Sequence, residues 1–256
     1  MAGINDLLPN GKGVWVPIDH GVSDYPVEGL TDIDGIIANL SSADAIIAHK
    51  GIVTRYSSKF SRFIAHLSAS TRHGGDENSL KVCVGTVEES IKRGAKGVSV
   101  QVNMGSYGEG DMIETLGEIT TDAFEQGIPV LGMIYPRGEN LTVMENDDTE
   151  AIAHAVRLGF ELGCDVVKTK YTGSMESFRK VVSAAPIPVL IAGGPAGKTN
   201  EEILMMVHEA MQAGAAGVCM GRQIFANQNP SAMVDALRLL VHDGLDVQTA
   251  MIKSGL

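Results

Sequence analysis

Apolar and polar positions follow two alternating patterns along this chain. Stretches such as TVEESIKRGA (86–95), DMIETLGEITTDAFEQG (111–127), DTEAIAHAVRLGFELG (148–163) and NEEILMMVHEAMQAG (200–214) place apolar residues three or four apart, with carboxylates early. That spacing predicts amphipathic helices whose anionic first turns suit the helix dipole. Each closes on a glycine, which readily takes the left-handed backbone that ends a helix. A short run rich in Val, Ile and Ala follows each one, as in KGVSVQV, IPVLGMIY, CDVVKTKY and AAGVCMGR. Such runs predict strands buried on both faces, the condition of a parallel sheet.

Read along the whole chain, the pattern predicts eight strands, at 14–18, 44–49, 62–67, 97–102, 129–134, 165–170, 188–192 and 216–220. The apolar run at 82–84 is only three residues long and is read as part of a connection. Evenly spread helix and strand units, without a switch point or a dinucleotide fingerprint, predict an α/β fold closed as a (β/α)8 TIM barrel rather than an open sheet. The 256 residues suit one such barrel, and no linker-like composition divides them, so 1–256 reads as a single domain.

Composition then excludes several classes. Twenty Lys+Arg against 31 Asp+Glu give a net charge of −11, which argues against a nucleic-acid partner. A hydrophobic fraction of 44% with 20% charged residues belongs to a chain that buries a core, not a disordered one. No apolar run approaches the roughly 18 residues needed to span a bilayer, so no membrane partner is expected. Cys83, Cys164 and Cys219 show no paired spacing, and the N-terminus has neither a basic nor an apolar leader region. Both features point to a reduced, cytoplasmic protein.

In a barrel of this kind the chemistry gathers just past the C-terminal ends of the strands. Those ends carry Asp19-His20-Gly21, His49-Lys50-Gly51, His66, Asn103, Tyr135-Pro136-Arg137-Gly138, Lys168-Thr169-Lys170-Tyr171, Gly193-Gly194-Pro195 and Gly221-Arg222. Lys168 stands out, because a lysine inside the apolar run DVVKTK is either paired, for example with Asp19, or reactive. Strand periodicity puts Lys168 and Lys170 on one face, and their repulsion, with burial, predicts a depressed pKa for one of them. A neutral amine near pH 7 is what a Schiff-base nucleophile requires. Tyr135, on the neighbouring strand, is a candidate proton shuttle or simply a hydrogen-bonded rim tyrosine. Asp19 is a candidate counter-charge or proton relay.

Gly193, Gly194, Gly221 and Arg222 fit a phosphate site built from the loops after strands seven and eight, where glycines let backbone N–H groups approach an anion. His20, Lys170 and Arg137 join them as candidate substrate contacts. Arg72, Arg137 and Lys50 are alternatives for a second anionic end, or else solvated charges. His20, His49 and His66 lie on consecutive strand ends, as metal ligands would, yet they lack tight ligand spacing and a completing carboxylate, so no metal is expected. The acidic stretch 145–150 reads as a solvated helix N-terminus.

The segments PIDHGVSDYPVEGL (17–30), AHKGIV (48–53), HLSAST (66–71), MIYPRG (133–138), DVVKTKYTG (165–173), VLIAGGPAGKT (189–199) and AGAAGVCMGRQIF (213–225) together resemble the archaeal-type class I fructose-bisphosphate aldolases and the 2-amino-3,7-dideoxyheptulosonate synthases of the Schiff-base aldolase barrels. The resemblance runs from Val14 to about Val241. It implies that Lys168 is the Schiff-base residue, Tyr135 a general acid/base and Asp19 its companion in proton transfer. It also implies a phosphate on Gly193, Gly194, Gly221 and Arg222, no cofactor, and a homo-oligomer such as a decamer of two pentameric rings.

The activity it implies is reversible cleavage of a phosphorylated ketose, first of all fructose 1,6-bisphosphate to dihydroxyacetone phosphate and glyceraldehyde 3-phosphate. Lys170 looks like that branch, whereas PIDHGVS, HKGIV and MIYPRG look like the heptulosonate branch. A thiolase-like sibling shares the barrel. Two rival readings are a metal-dependent lyase and a noncatalytic phosphosugar-binding protein.

Overall fold

The computed structural model describes residues 3–75, 79–141, 148–194 and 197–256. Among them, eight strands close into a parallel barrel: β1 (Gly13–Pro17), β2 (Ala45–Ala48), β3 (Phe63–His66), β4 (Gly97–Met104), β5 (Val130–Pro136), β6 (Val166–Lys170), β7 (Val189–Ala192) and β8 (Gly217–Cys219). The ring runs in chain order and closes by pairing β1 with β8. Each predicted strand is present. β4 and β5 run two residues further than expected, which carries Asn103 and Tyr135 inside strands rather than on loops.

Eight helices cover the outside: α1 (Ile33–Asn39), α2 (Lys50–Tyr56), α3 (Val87–Lys92), α4 (Glu109–Gln126), α5 (Thr149–Glu161), α6 (Met175–Val182), α7 (Asn200–Gln212) and α8 (Pro230–Val241). Their N-termini are held as the sequence chemistry dictates. Thr199 and Glu202 form a reciprocal capping box on α7, and Ser174 caps α6 through the Ser177 N–H. The four predicted helix ends fall on Gly94, Gly127, Gly163 and Gly214, all with positive φ. Of the acidic stretch 145–150, residues 145–147 lie outside the described residues, while Asp148 occupies the N-cap position of α5 without a side-chain capping bond and Glu150 is exposed in its first turn.

The run at 82–84 stays out of the barrel, as expected of a connection. Val82–Cys83 pairs antiparallel with Ser68–Ala69 in a small hairpin after β3. Short turns of helix at His20–Ser23 and Arg222–Phe225, and a terminal helix at Val247–Ser254, were not foreseen from periodicity. Among the described residues no helix is long and apolar enough to cross a membrane.

Strand residues alternate between two cores. Val14, Val16, Ile46, Val98, Val100, Ile134 and Val167 face out and pack under the helices. Trp15, Ile47, Ile64, Leu131, Met133, Val166, Leu190 and Cys219 face in and fill the tube. The bottom of the tube is stoppered by the N-terminal segment. The short helix Ile4–Leu7 brings Leu7 and Leu8, both essentially buried, against that inner layer, and the Trp15 indole N–H donates to the Leu7 carbonyl at 2.6 Å.

The same end is tied together by Asp44. Its carboxylate accepts from Arg238 Nη1 at 2.5 Å, from His242 Nε2 at 2.7 Å and from the Val14 N–H at 2.8 Å, fastening α8 to the strands. Burial would raise the Asp44 carboxyl, but the bonds from His242, Val14 and Arg238 outweigh it and hold it below the usual range. A depressed folded pKa stabilises above the unfolded carboxyl value of about 3.9, and that contribution fades as pH falls through the lower folded value. Asp44→Ala is expected to cost roughly 2–4 kcal/mol in urea unfolding at pH 7, since it strands partly buried donors, and to cost less near pH 3. Equal stability of variant and parent at pH 7 would rule this tie out.

Candidate active site

Strand parity decides which side chains reach the open end of the tube. Counting by twos from the inner-core residues leads through Trp15 to Asp19, Ile47 to His49, Ile64 to His66, Met133 to Tyr135 and Val166 to Lys168. Lys168 is 7% exposed, above the apolar layer that includes Met133, Val166 and Leu190. Met133 is its register partner, so Tyr135 stands one layer higher on the adjacent strand, with its phenol close enough to act on the Lys168 amine. The Cys219 thiol, wholly buried on β8, acts on the same amine.

Burial by itself would push the Lys168 ammonium down, but Cys219, Tyr135 and Asp19 together outweigh it and hold its pKa above the ordinary value. Burial also pushes the Cys219 thiol up to about 11 and raises the Tyr135 phenol. Both are therefore neutral near pH 7, and Asp19 is the anion facing the ammonium. Burial would raise Asp19 too, yet His66, His20, Lys168 and His49 hold it ionised. The depressed lysine pKa expected from the Lys168–Lys170 spacing is thus overturned. The two do share a face, but Lys170 lies at the rim, where its exposed side chain pairs with Asp148, and it never meets Lys168. The direct Lys168–Asp19 salt bridge is also absent among the described residues; Asp19 acts on the amine from a longer range.

The three rim histidines converge on Asp19. His66 Nε2 lies 3.7 Å from Asp19 Oδ2, too long for a direct hydrogen bond, while its Nδ1 is 2.8 Å from Ser99 Oγ. Burial pushes His66 down to about 4, so it is neutral at physiological pH. The His49 ring meets the His66 ring at a tilt of 57°, centroids 5.3 Å apart, and burial lowers His49 as well. His20 Nδ1 sits 3.4 Å from Asp19 Oδ1, and its ring meets Phe225 edge-on at 5.1 Å. Among the described residues, no group of three or more His, Cys, Asp or Glu is arranged to hold a metal ion.

The loops after β7 and β8 are joined by a residue that sequence reasoning passed over. Gln223 Nε2 donates to the carbonyls of Gly193 at 2.7 Å and Gly194 at 2.8 Å. A Cβ on Gly193 would come within 2.1 Å of the Gln223 side chain, and one on Gly221 within 2.7 Å of both His20 and the Pro17 carbonyl. The backbone contact makes glycine a packing requirement at Gly221, whereas at Gly193 a Cβ would displace the Gln223 amide. Arg222 is exposed beside them, with Nη2 at 3.5 Å from the Gly194 carbonyl. Pro195 lies outside the described residues.

The remaining predicted contacts separate. Arg72 is paired with Asp24 at 2.6 Å and Lys50 with Glu89 at 3.3 Å, the solvated-charge alternative for both. Lys170, as above, leaves the mouth. Arg137 stays: its Nε donates to Asn103 Oδ1 at 2.8 Å and its guanidinium lies 4.8 Å from the centre of the Tyr135 ring.

Residues 14–227 match the DeoC/LacD family aldolase. The chain belongs to that family. It is accordingly a carbon–carbon lyase of the aldolase type, on a barrel like those of solved relatives. It is 40% identical to the 2-amino-3,7-dideoxy-D-threo-hept-6-ulosonate synthase of Halobacterium salinarum, over 100% of this chain and 96% of that protein. It is also 40% identical to the 2-amino-4,5-dihydroxy-6-oxo-7-(phosphonooxy)heptanoate synthase of Streptomyces griseus, over 89% of this chain and 84% of that one. Among solved structures, an archaeal fructose-1,6-bisphosphate aldolase with its catalytic lysine bound to a carbinolamine intermediate superimposes with a TM-score of 0.84. It is 30% identical and covers 94% of this chain and 98% of that one.

For this aldolase, the residues that sequence reasoning missed, or left as rim polarity, are His49, His66, Ser99, Asn103, Cys219 and Gln223. Inward parity would have flagged the first five. Gln223 acts through a contact between loops, so it carries no periodic signal.

Proposed function

We propose that the protein performs class I aldol chemistry through an iminium on Lys168, joining a phosphorylated three-carbon ketone to a four-carbon 2-amino-4-oxo acid. The observation that carries the chemistry is one buried primary amine, flanked by a neutral phenol and faced by an ionised carboxylate. The substrate class follows from organic logic applied to one of the 40%-identical relatives, the heptanoate synthase. A 2-amino-4,5-dihydroxy-6-oxo-7-phosphonooxyheptanoate is a β-hydroxyketone, and aldol addition forms its C4–C5 bond. The C5–C7 half is then dihydroxyacetone phosphate and the C1–C4 half is 2-amino-4-oxobutanoate.

In this mechanism Lys168 first gives up its ammonium proton, with Asp19 as the neighbouring base. The free amine adds to the C6 ketone, and the proton Asp19 took passes to the carbinolamine hydroxyl, which leaves as water to give the iminium and returns Asp19 to its carboxylate. Asp19 takes the C5 proton, which leaves an enamine. C5 attacks the acceptor aldehyde carbon, and Tyr135 donates its proton to the new C4 oxygen. The proton held by Asp19 returns to Tyr135, and water releases the product and restores the amine. The iminium withdraws electrons as a Lewis-acid metal would, so no cofactor is invoked. The phosphate of the ketone is assigned to Gly193, Gly194, Gly221 and Arg222.

A second reading, cleavage of fructose 1,6-bisphosphate, uses the same steps and is favoured by the likeness to the archaeal aldolase structure. Borohydride reduction in the presence of dihydroxyacetone phosphate, followed by peptide mapping, is expected to place the adduct on Lys168. A bound but unreduced ketone would reject the iminium. Aldol addition rates with 2-amino-4-oxobutanoate and with glyceraldehyde 3-phosphate then separate the two readings.

A further inference from the structure

The base that the aldol steps require is loosely held. Asp19 lies two residues past the end of β1, and its side chain is 17% exposed. Among the described residues no group hydrogen-bonds its carboxylate. An imidazole nitrogen stands off each oxygen instead, His20 Nδ1 at 3.4 Å from Oδ1 and His66 Nε2 at 3.7 Å from Oδ2. A carboxylate that accepts two or three hydrogen bonds becomes a weak base, so contacts of this length suit one that has to take a proton from carbon and hand it on.

The two imidazoles differ in how firmly they are set. His20 is half-exposed on the loop, and its Nδ1 has no hydrogen-bond partner. His66 is 3% exposed on β3, and Ser99, its register partner on β4, is wholly buried with Oγ 2.8 Å from Nδ1. Burial keeps His66 neutral, so its ring carries one proton, on one nitrogen or the other. If Nδ1 held it, Ser99 would accept that proton and leave its own hydroxyl without an acceptor among the described residues, while the Nε2 lone pair faced the Asp19 anion. Both arrangements are costly in a buried site. With the proton on Nε2, Ser99 donates to Nδ1 and an N–H faces the carboxylate.

We propose that Ser99 fixes His66 in the Nε2–H tautomer, and that this N–H is the positioning contact that holds the Asp19 carboxylate in place for abstraction of the C5 proton. The inference rests on the proposed aldol chemistry and assigns both residues a part in its carbon-acid step, acting through Asp19.

The test follows exchange of a hydroxymethyl hydrogen of dihydroxyacetone phosphate for deuterium, by NMR in deuterium oxide with no acceptor present. Asp19 takes that proton from the iminium on Lys168, the C–H electron pair forms the enamine, and a deuteron acquired by Asp19 from solvent returns to the same carbon. Asparagine at position 66 keeps an amide where Nδ1 stands, in reach of Ser99, whereas glutamine keeps one where Nε2 stands, facing Asp19. His66→Asn is expected to lower kcat for exchange roughly 10- to 100-fold with KM for the ketone little changed, the worth of a donor facing a charged group. His66→Gln should stay within about threefold of the unmodified protein, and Ser99→Ala should lose about 3- to 10-fold, the worth of a neutral hydrogen bond. The extent of borohydride trapping at saturating ketone should be the same in all four proteins. Equal loss in His66→Asn and His66→Gln, as a packing role would give, or no loss in His66→Asn, overturns the contact. A Ser99→Ala protein as fast as the unmodified one overturns the tautomer assignment. Absence of trapping in the unmodified protein refutes the aldol reading itself, whereas trapping and exchange that are indifferent to these substitutions refute this inference alone.

Discussion

Lys168→Met is expected to lower kcat by roughly 10⁴- to 10⁶-fold, the scale seen when a covalent nucleophile is removed, and to abolish borohydride trapping. Methionine has a similar length and suits the apolar layer of Met133, Val166 and Leu190 beneath it, so the thermal midpoint should stay within a few degrees of the parent. Loss of activity with an intact fold isolates the chemistry. In the unmodified protein the same nitrogen rests as an ammonium, because its pKa is held above the ordinary lysine value. Addition to a ketone needs the free amine, so the rate of trapping should climb with pH across the range from about 6 to 9. A rate that is flat or falls over that range, or a Lys168→Met protein that still turns over, would falsify the assignment.

The second large effect is expected at Tyr135. Tyr135→Phe removes one hydroxyl and keeps the ring on which Arg137 rests, so packing is retained while the proton donor is lost. Turnover should fall by about 10²- to 10⁴-fold, the usual worth of a positioned acid or base, while the ketone adduct on Lys168 still forms and is still trapped. Adduct formation and carbon–carbon bond making would then be separated in one protein. If trapping disappeared together with turnover, the phenol would instead be needed to form the iminium, and the order of proton transfers proposed above would be wrong.

Much of this was legible from local chemistry. The glycines at 94, 127, 163 and 214 mark helix ends by a backbone rule that needs no tertiary information. The unalternating apolar strands imply two buried faces, and eight of them imply closure. Lys168, Tyr135 and Asp19 are visible as polar residues at strand ends. The ionisation of Lys168 was not legible, because it depends on partners from β1, β5 and β8 that only the closed ring brings together. The spacing of two between Lys168 and Lys170 correctly gave a shared face, but not that the rim position escapes to Asp148. The histidine cluster around Asp19 was hidden for a related reason: His20, His49 and His66 belong to three strand ends whose meeting point is a matter of barrel geometry. The N-terminal stopper carries no periodic signal at all, since four helical residues and a 3₁₀ turn are too short to show one.

That stopper also gives the molecule an optical property. The chain has a single tryptophan, Trp15, which is 1% exposed and bonded through its indole to Leu7. On its other side it is the register partner of Cys219, whose thiol acts on the Lys168 amine. All the intrinsic tryptophan emission therefore originates from one ring, wedged between the seal of the tube and the floor of the reaction chamber. Its colour registers whether water has entered from below, and its intensity senses changes of charge just above, so seal and amine can be followed in solution without any added label.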